Sequence, residues 1–322
     1  MAAVNVLEVI SPGPLTTIQD RGRLGFGPYG VAPSGAVDSF SLRVGNRLVG
    51  NRLDNGEDEA GLEMTFAGPV VTALSKITIA VTGADIQPRI NTAPAPMWRA
   101  MVIQKGDRLS FKGIRSGLRA YLAVGGGINA KMVLGSRSTN LGARFGGLSG
   151  RPLVKGDILS AHAPHLHLKT EGTALPFESI PNHTPEVTLR IIFGPHHHHF
   201  DPEMLSTFRQ SAYRVTEQLD RTGIRLEGPL IKEKVALEKS IISEGVVSGA
   251  IQIPGDGQPI IILGETVTGG YRKIATVISA DLSRLGQLRP GNKVRFSPVS
   301  PDEARSVLLE IETIIQGIIK QI

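Results

Sequence analysis

Lys76-Ile-Thr-Ile-Ala-Val-Thr82 alternates apolar with smaller or polar residues and is rich in β-branched side chains, which marks a strand. The same signature returns at Leu118-Arg-Ala-Tyr-Leu-Ala-Val124, Val187-Thr-Leu-Arg-Ile-Ile-Phe193 and Pro259-Ile-Ile-Ile-Leu263. Each run is short and is cut by Gly, Pro, Asn or Asp, and several are apolar enough to be buried on both faces. The turn signals Lys105-Gly106-Asp107, Lys155-Gly156-Asp157 and Pro290-Gly291-Asn292 each precede a further alternating stretch, so hairpin units recur. With 38 glycines and 21 prolines among 322 residues, the chain carries the turn residues that many short strands require. The expected fold class is mainly β.

Two echoes point to an internal duplication. Leu62-Glu63-Met64-Thr65-Phe66 runs into Gly68-Pro69, and Arg225-Leu226-Glu227 runs into Gly228-Pro229. Downstream, a Gly-Asx strand ends Leu109-Ser-Phe111 in one half and Val294-Arg-Phe296 in the other. A length of 322 residues fits two domains, and Leu166–Pro185 lacks periodicity, so domains 1–175 and 176–322 are expected. Helices are few. Val37, Phe40, Val44 and Leu48 share one helical face after a capping Ser34, and Asp201-Pro202 opens a short helix through Phe208. Ser300-Pro301-Asp302-Glu303 is a capping box. After it, Ala304, Leu308, Ile311, Ile315, Ile318 and Ile322 form a seam, read as docking on the chain's own barrel.

Hydrophobic residues at 41% supply a core and exclude a disordered chain. The absence of cysteine removes disulfides, thiolate catalysis and Cys-ligated zinc or iron–sulfur centres. The net charge of +6 comes from scattered Lys and Arg, with Lys232–Lys239 interleaved by Glu and aromatics at only 5%. That pattern fits an anionic small substrate or an acidic partner, and no nucleic acid is expected. The N-terminal Met1-Ala-Ala-Val-Asn-Val-Leu7 lacks a basic leader, and no apolar run approaches the ~20 residues that span a bilayer. No membrane association and a cytoplasmic location are expected.

Three motifs carry candidate chemistry. Thr16–Arg23, continuing through Tyr29-Gly30 to Ser34-Gly-Ala-Val-Asp38, combines glycines with Arg21, Arg23, Asp20 and Asp38. It reads either as an anion clamp or as a loop held by internal Asp–Arg pairs. Gly125-Gly-Gly-Ile128 leads to Leu134-Gly-Ser-Arg-Ser-Thr139, where Arg137 beside Ser138 suits a carboxylate or phosphate, although a structural turn fits equally well. Neither a Rossmann fingerprint nor a P-loop is present. Ser243-Glu244-Gly245, Gly249-Ala-Ile-Gln252, Thr268-Gly-Gly-Tyr271 and Gln287-Leu-Arg-Pro-Gly291 place a carboxylate, amides and hydroxyls between strands, at a barrel mouth. Four consecutive histidines, His196–His199, cannot converge on one ion, so no metal site is expected. His162, His165 and His167 alternate as on a surface strand.

On these motifs the chain resembles the allophanate-hydrolase-subunit-2 family, also called the KipA-like or biotin-dependent carboxyltransferase family, from Val9 to Phe296. The resemblance implies two cyclophilin-like β-barrel domains with a few short helices and a C-terminal helix. It implies a component of a multi-subunit ATP-dependent 5-oxoprolinase, inactive alone, with a KipI-like B subunit, a LamB/YcsF-like A subunit, and ATP with Mg in the assembled complex. The roles that go with it are Glu244, Asp38 or Asp20 as the carboxylate handling a water proton. Arg21, Arg23, Ser34, Arg137, Ser138, Gln252, Thr268 and Tyr271 would hold the substrate and its anionic groups. The alternatives are a carboxyltransferase acting on urea or a similar amide, or a non-enzymatic KipI-binding regulator of a sensor kinase. No biotinyl Met-Lys stands in the chain, because Lys131-Met132 has the reverse order. Two positions depart from the family: Glu265-Thr266-Val267 replaces Arg-Gln-Thr, and His196 stands where Gln is common.

Overall fold

The alternation at 76–82 becomes strand Ile77–Asp85 in a five-stranded antiparallel sheet ordered Leu15–Gln19, Gly61–Thr65, Ser116–Val124, Ile77–Asp85, Ala100–Ile103. Its burial on both faces has a simple cause. Ile77, Ile79 and Val81 enter the hydrophobic core, while Thr82, on the opposite face, lies under helix α1 (Ser39–Leu48) and donates to the Ser41 carbonyl at 2.7 Å. The computed structural model describes residues 3–51, 59–162, 170–234 and 241–318. His165 and His167 lie outside the described residues, as does the end of the C-terminal seam at Ile322.

The chain divides into two units: Met1–Leu24 with Ser34–His183 and Glu312–Ile322, and Gly25–Pro33 with Thr184–Ile311. The main division therefore falls at 183/184, later than the expected 175/176, and the exchange of Gly25–Pro33 is a long-range assignment that local composition does not signal.

In the first unit a seven-stranded sheet runs Ile128–Asn129, Ile158–His162, Ala3–Ser11, Val70–Ala73, Arg108–Phe111, Pro88–Ile90, Ala93–Pro94. Val9, Val71 and Leu109 from this sheet join Leu62, Ile79 and Leu122 from the five-stranded sheet in one buried cluster. The core of this unit therefore lies between its two sheets. Pro94 sits in the short edge strand and Pro88 opens the strand beside it, positions that tolerate a residue without an N–H.

The second unit closes. Its barrel runs Glu186–Phe193, Arg272–Val277, Ala250–Ile253, Ile260–Ile262, Gly223–Glu227, Tyr213–Leu219, Lys293–Pro298. The last strand returns parallel to the first. Helix α2 (Pro202–Gln210) buries Phe208 against Phe296, with ring centroids 4.5 Å apart. The strands Glu244–Gly245 and Thr268–Gly269 form a separate two-stranded ribbon.

The helix-start chemistry holds at one end and shifts at the other. Helix α3 (Leu282–Leu285) is a single turn, and α4 (Pro301–Gly317) opens with the capping box expected at Ser300. Glu303 Oε2 accepts from the Ser300 N–H at 2.7 Å, and Ser300 Oγ accepts from the Glu303 N–H at 3.2 Å. Within the seam Ile315 and Ile318 are buried, and Glu312 of α4 forms a bidentate pair with Arg43 of α1 at 2.6 and 2.7 Å. In α1 the cap is Asp38 rather than Ser34: its Oδ1 accepts from the Ser41 N–H at 2.9 Å. Ser34 instead takes a left-handed backbone at φ 55°, in a turn four residues ahead of the cap. No helix among the described residues is long and apolar enough to cross a membrane.

Candidate functional site

The glycine-rich motif and the Gly-Ser-Arg-Ser-Thr motif meet at Asp20. Its Oδ1 accepts from Gly22 N–H (2.8 Å), Ser136 Oγ (2.6 Å) and Ser138 Oγ (2.5 Å), and its Oδ2 accepts from Arg137 N–H (2.5 Å). Those four bonds engage both oxygens, three on Oδ1 and one on Oδ2, so the buried Asp20 joins two loops. Ser138 is spent in the same network, since its Oγ also accepts from the Asp20 N–H at 2.9 Å. Arg23 is buried, donates to the carbonyls of Ser138 (2.5 Å) and Val133 (3.3 Å), and lies over the Phe145 ring at 4.6 Å. These bonds clamp the loop. Gly35, at φ 82°, lets the chain turn here: a Cβ would stand 2.7 Å from the Arg21 carbonyl oxygen. Arg21 is exposed, and the Arg137 guanidinium lies 4.0 Å from Glu59. Ser34 Oγ and Arg137 Nε are buried and meet no partner among the described residues.

Asp38 is occupied as well. Beyond the cap, its Oδ2 accepts from Ser41 Oγ at 2.6 Å, and its N–H donates to Tyr121 Oη at 2.8 Å. Tyr121 Oη in turn donates to Glu63 Oε2 at 2.7 Å. Burial and the Glu63 carboxylate push the Tyr121 phenol well above its ordinary range. Sequence motifs do not mark Glu63, Tyr121 or Arg119, although each interrupts an apolar strand. Register brings Tyr121 opposite Glu63, which places two ionisable side chains on one face.

The second unit is arranged differently. Glu244 sits on the ribbon with its side chain 43% exposed; Oε1 accepts from Lys273 Nζ and lies 3.3 Å from His196 Nε2, and Oε2 has no partner among the described residues. Hydrogen bonding to Lys273 holds this carboxyl below the usual range. His196 Nδ1 accepts from the Lys273 backbone N–H at 3.1 Å, so the neutral ring carries its proton on Nε2, toward Glu244. Desolvation by burial lowers the His196 pKa and favours that neutral ring. With both nitrogens engaged, His196 positions Glu244 and is not itself a base. His199 Nδ1 likewise accepts from Arg272 Nε at 2.9 Å, and His197 Nδ1 is 2.7 Å from the Gly194 carbonyl. Among the described residues no group of His, Asp and Glu is arranged to hold a metal ion.

Beside the ribbon lies a cleft of about 480 Å³ lined by Gln252, Thr268, Tyr271 and Arg225. Register ties it to Glu244: Gln252 pairs with Lys273 across one strand pair, and Glu244 pairs with Gly269 across the other. A bulge beside Gln252 shifts this register and turns its amide toward the ribbon. A Cβ at Gly269 would stand 2.3 Å from Gln252 Nε2, so glycine is what lets the ribbon lie on that amide. Arg225 forms no ion pair among the described residues, and no sequence signal marks it because it sits within an ordinary strand repeat. Glu265, the departure from the family pattern, is buried and accepts from Arg221 Nε at 3.1 Å, so the altered charge is compensated inside the protein.

The family model described as carboxyltransferase domain, subdomain A and B, matches residues 29–298. The chain belongs to this carboxyltransferase family. The C subunit of 5-oxoprolinase from Escherichia coli (strain K12) is 34% identical over 301 residues, which is 93% of each chain. Urea amidolyase of Lachancea kluyveri is 34% identical over 319 residues, covering 93% of this chain and 17% of that protein. The crystal structure of the K. lactis urea amidolyase superposes with a TM-score of 0.91 at 32% identity, over 99% of this chain and 20% of the other. The chain therefore spans a small part of the urea enzymes and nearly the whole of the oxoprolinase subunit.

Proposed function

We propose that this chain is the C-type component of an ATP-dependent 5-oxoprolinase, inactive by itself and completed by a KipI-like B subunit and a LamB/YcsF-like A subunit. The observation that carries the reading is the cleft of the second unit, lined by Gln252, Thr268, Tyr271 and Arg225, whose wall residue Gly269 pairs across the ribbon with Glu244. Support comes from the likeness to a component of that enzyme over 93% of both chains. A cyclic amide is resonance-stabilised, and with ATP and magnesium as co-substrate its carbonyl oxygen is phosphorylated to become a leaving group, after which water opens the C–N bond. In this chain Arg225 pairs with the substrate carboxylate, and Gln252 and Tyr271 orient the ring through hydrogen bonds. Glu244, fixed by Lys273 and His196, accepts a proton from the attacking water through Oε2. Asp20 and Asp38 build the loops and take no part in proton transfer.

A second reading is carboxyl transfer from carboxybiotin to a urea-like amide, favoured by the likeness to urea amidolyase in sequence and in structure. One experiment separates the two. The chain is mixed with B-type and A-type partners, and ATP-dependent release of glutamate from 5-oxoproline is followed. Turnover in the full mixture alone is expected. Carboxylation of urea with a biotin carboxylase and its carrier protein, without glutamate release, would transfer the assignment to the second reading. A stable complex with neither activity would refute both.

A further inference from the structure

The first unit contains a second cleft, of about 540 Å³, distinct from the Asp20 loops. Its walls carry Arg89, Lys112 and Arg115 against a single acid, Asp85. That acid is already engaged, accepting from the Gln87 N–H at 3.2 Å and lying 3.5 Å from Arg115 Nη1. Lys112 is exposed and meets no acceptor or acid among the described residues. At the base lies Trp98, the one tryptophan of the chain, 5% exposed and with no hydrogen-bond acceptor for its indole N–H among the described residues.

The backbone here is strained. Trp98 and Gln87, both lining the cleft, hold left-handed conformations at φ 58° and 53°. Bulky residues rarely adopt that region, and it persists only where surrounding bonds impose it. Trp98 is fixed by its N–H to the Val81 carbonyl (2.8 Å) and by Leu175 N–H to its own carbonyl (3.0 Å). The Gln87 carbonyl accepts from the Lys112 N–H at 3.1 Å, which also sets the position of Lys112 at the rim. A rigid concave wall with surplus positive charge concentrates anions, and the volume is that of a small-molecule site.

We propose that this cleft binds a small multivalent anion, one bearing two or more carboxylate or phosphate groups. Lys112, Arg115 and Arg89 supply the counter-charge, and the Trp98 indole supplies a neutral donor. The site is independent of the Glu244 cleft and of the reaction assigned to it.

The full chain is titrated separately with citrate and with pyrophosphate at low ionic strength, by calorimetry and by Trp98 emission. A single saturable site is expected, with a change in emission, and affinity should fall at least about tenfold in Lys112→Ala/Arg115→Ala. Arg305→Ala, on the exposed side of α4, should bind like the parent. Tighter binding of citrate identifies a carboxylate ligand, and tighter binding of pyrophosphate a phosphate ligand. Heats that never saturate with either probe, or affinity undiminished in the double variant, would overturn the proposal.

Discussion

The Asp20 loops and the Glu244 ribbon contain similar residues in opposite states. Asp20 is 5% exposed and accepts four hydrogen bonds, whereas the Glu244 side chain is 43% exposed, with one oxygen anchored and the other open. The denser motif is thus the structural one. Glycines and arginines crowded around a carboxylate close a loop junction, and the sparser Ser-Glu-Gly element keeps a carboxylate oxygen accessible.

The largest effect expected from this contrast is on folding. Asp20→Ala strands Ser136 Oγ, Ser138 Oγ and two amide N–H groups in a buried junction, so a loss of about 3–5 kcal/mol is expected in chemical denaturation. A loss below about 1 kcal/mol would mean that the junction is not what holds these loops. Nearly as large is Arg221→Ala, which leaves Glu265 buried without its guanidinium, at a cost of about 3 kcal/mol or more. The exchange Arg221→Glu/Glu265→Arg should recover much of it, and failure to do so would show that the surroundings favour one orientation of the pair.

Smaller, and confined to the ribbon, is the effect of Lys273→Met. Its ammonium is the chief cause of the lowered Glu244 pKa, so removing it lets the carboxyl rise toward the ordinary range. The acidic limb of the pH–rate profile of the assembled complex should move to higher pH; an unmoved limb would separate Glu244 from catalysis. Smallest is the response to mild acid. Burial lowers the His196 pKa in the folded chain, so below about pH 6.5 the unfolded chain takes up a proton that the folded one resists. Stability from this group is therefore complete above that value and declines as pH falls toward the lowered folded value. His196→Gln, which removes the titrating ring, should flatten that part of the curve.

Much of the fold is legible in the sequence because its signals are local. The 76–82 alternation, the Ser300 capping box and the seam through Ile315 each depend on residues a few positions apart. What stays hidden is set by register and by long-range exchange. The Asp20–Ser138 bond spans 118 positions, Lys273 reaches Glu244 across 29, and no spacing rule places Tyr121 opposite Glu63. For the same reason Ser34 reads as a cap by residue type, although Asp38 holds the position that the helix N–H groups reach. The division of the first unit's strands between two sheets is also invisible, because the echo between Leu62–Phe66 and Arg225–Glu227 reports similar strands without reporting which strands pair.

If the open carboxylate acts on substrate and the closed one only builds the loops, two isosteric variants should behave in opposite ways. Glu244→Gln and Asp20→Asn are compared in the reconstituted assembly, with turnover normalised to the folded fraction. Glu244→Gln is expected to lower kcat at least about tenfold, with stability within about 1 kcal/mol of the parent. Asp20→Asn is expected to lose stability yet keep kcat per folded molecule within about twofold. Full turnover in Glu244→Gln, together with lost turnover in stably folded Asp20→Asn, would reverse the two assignments.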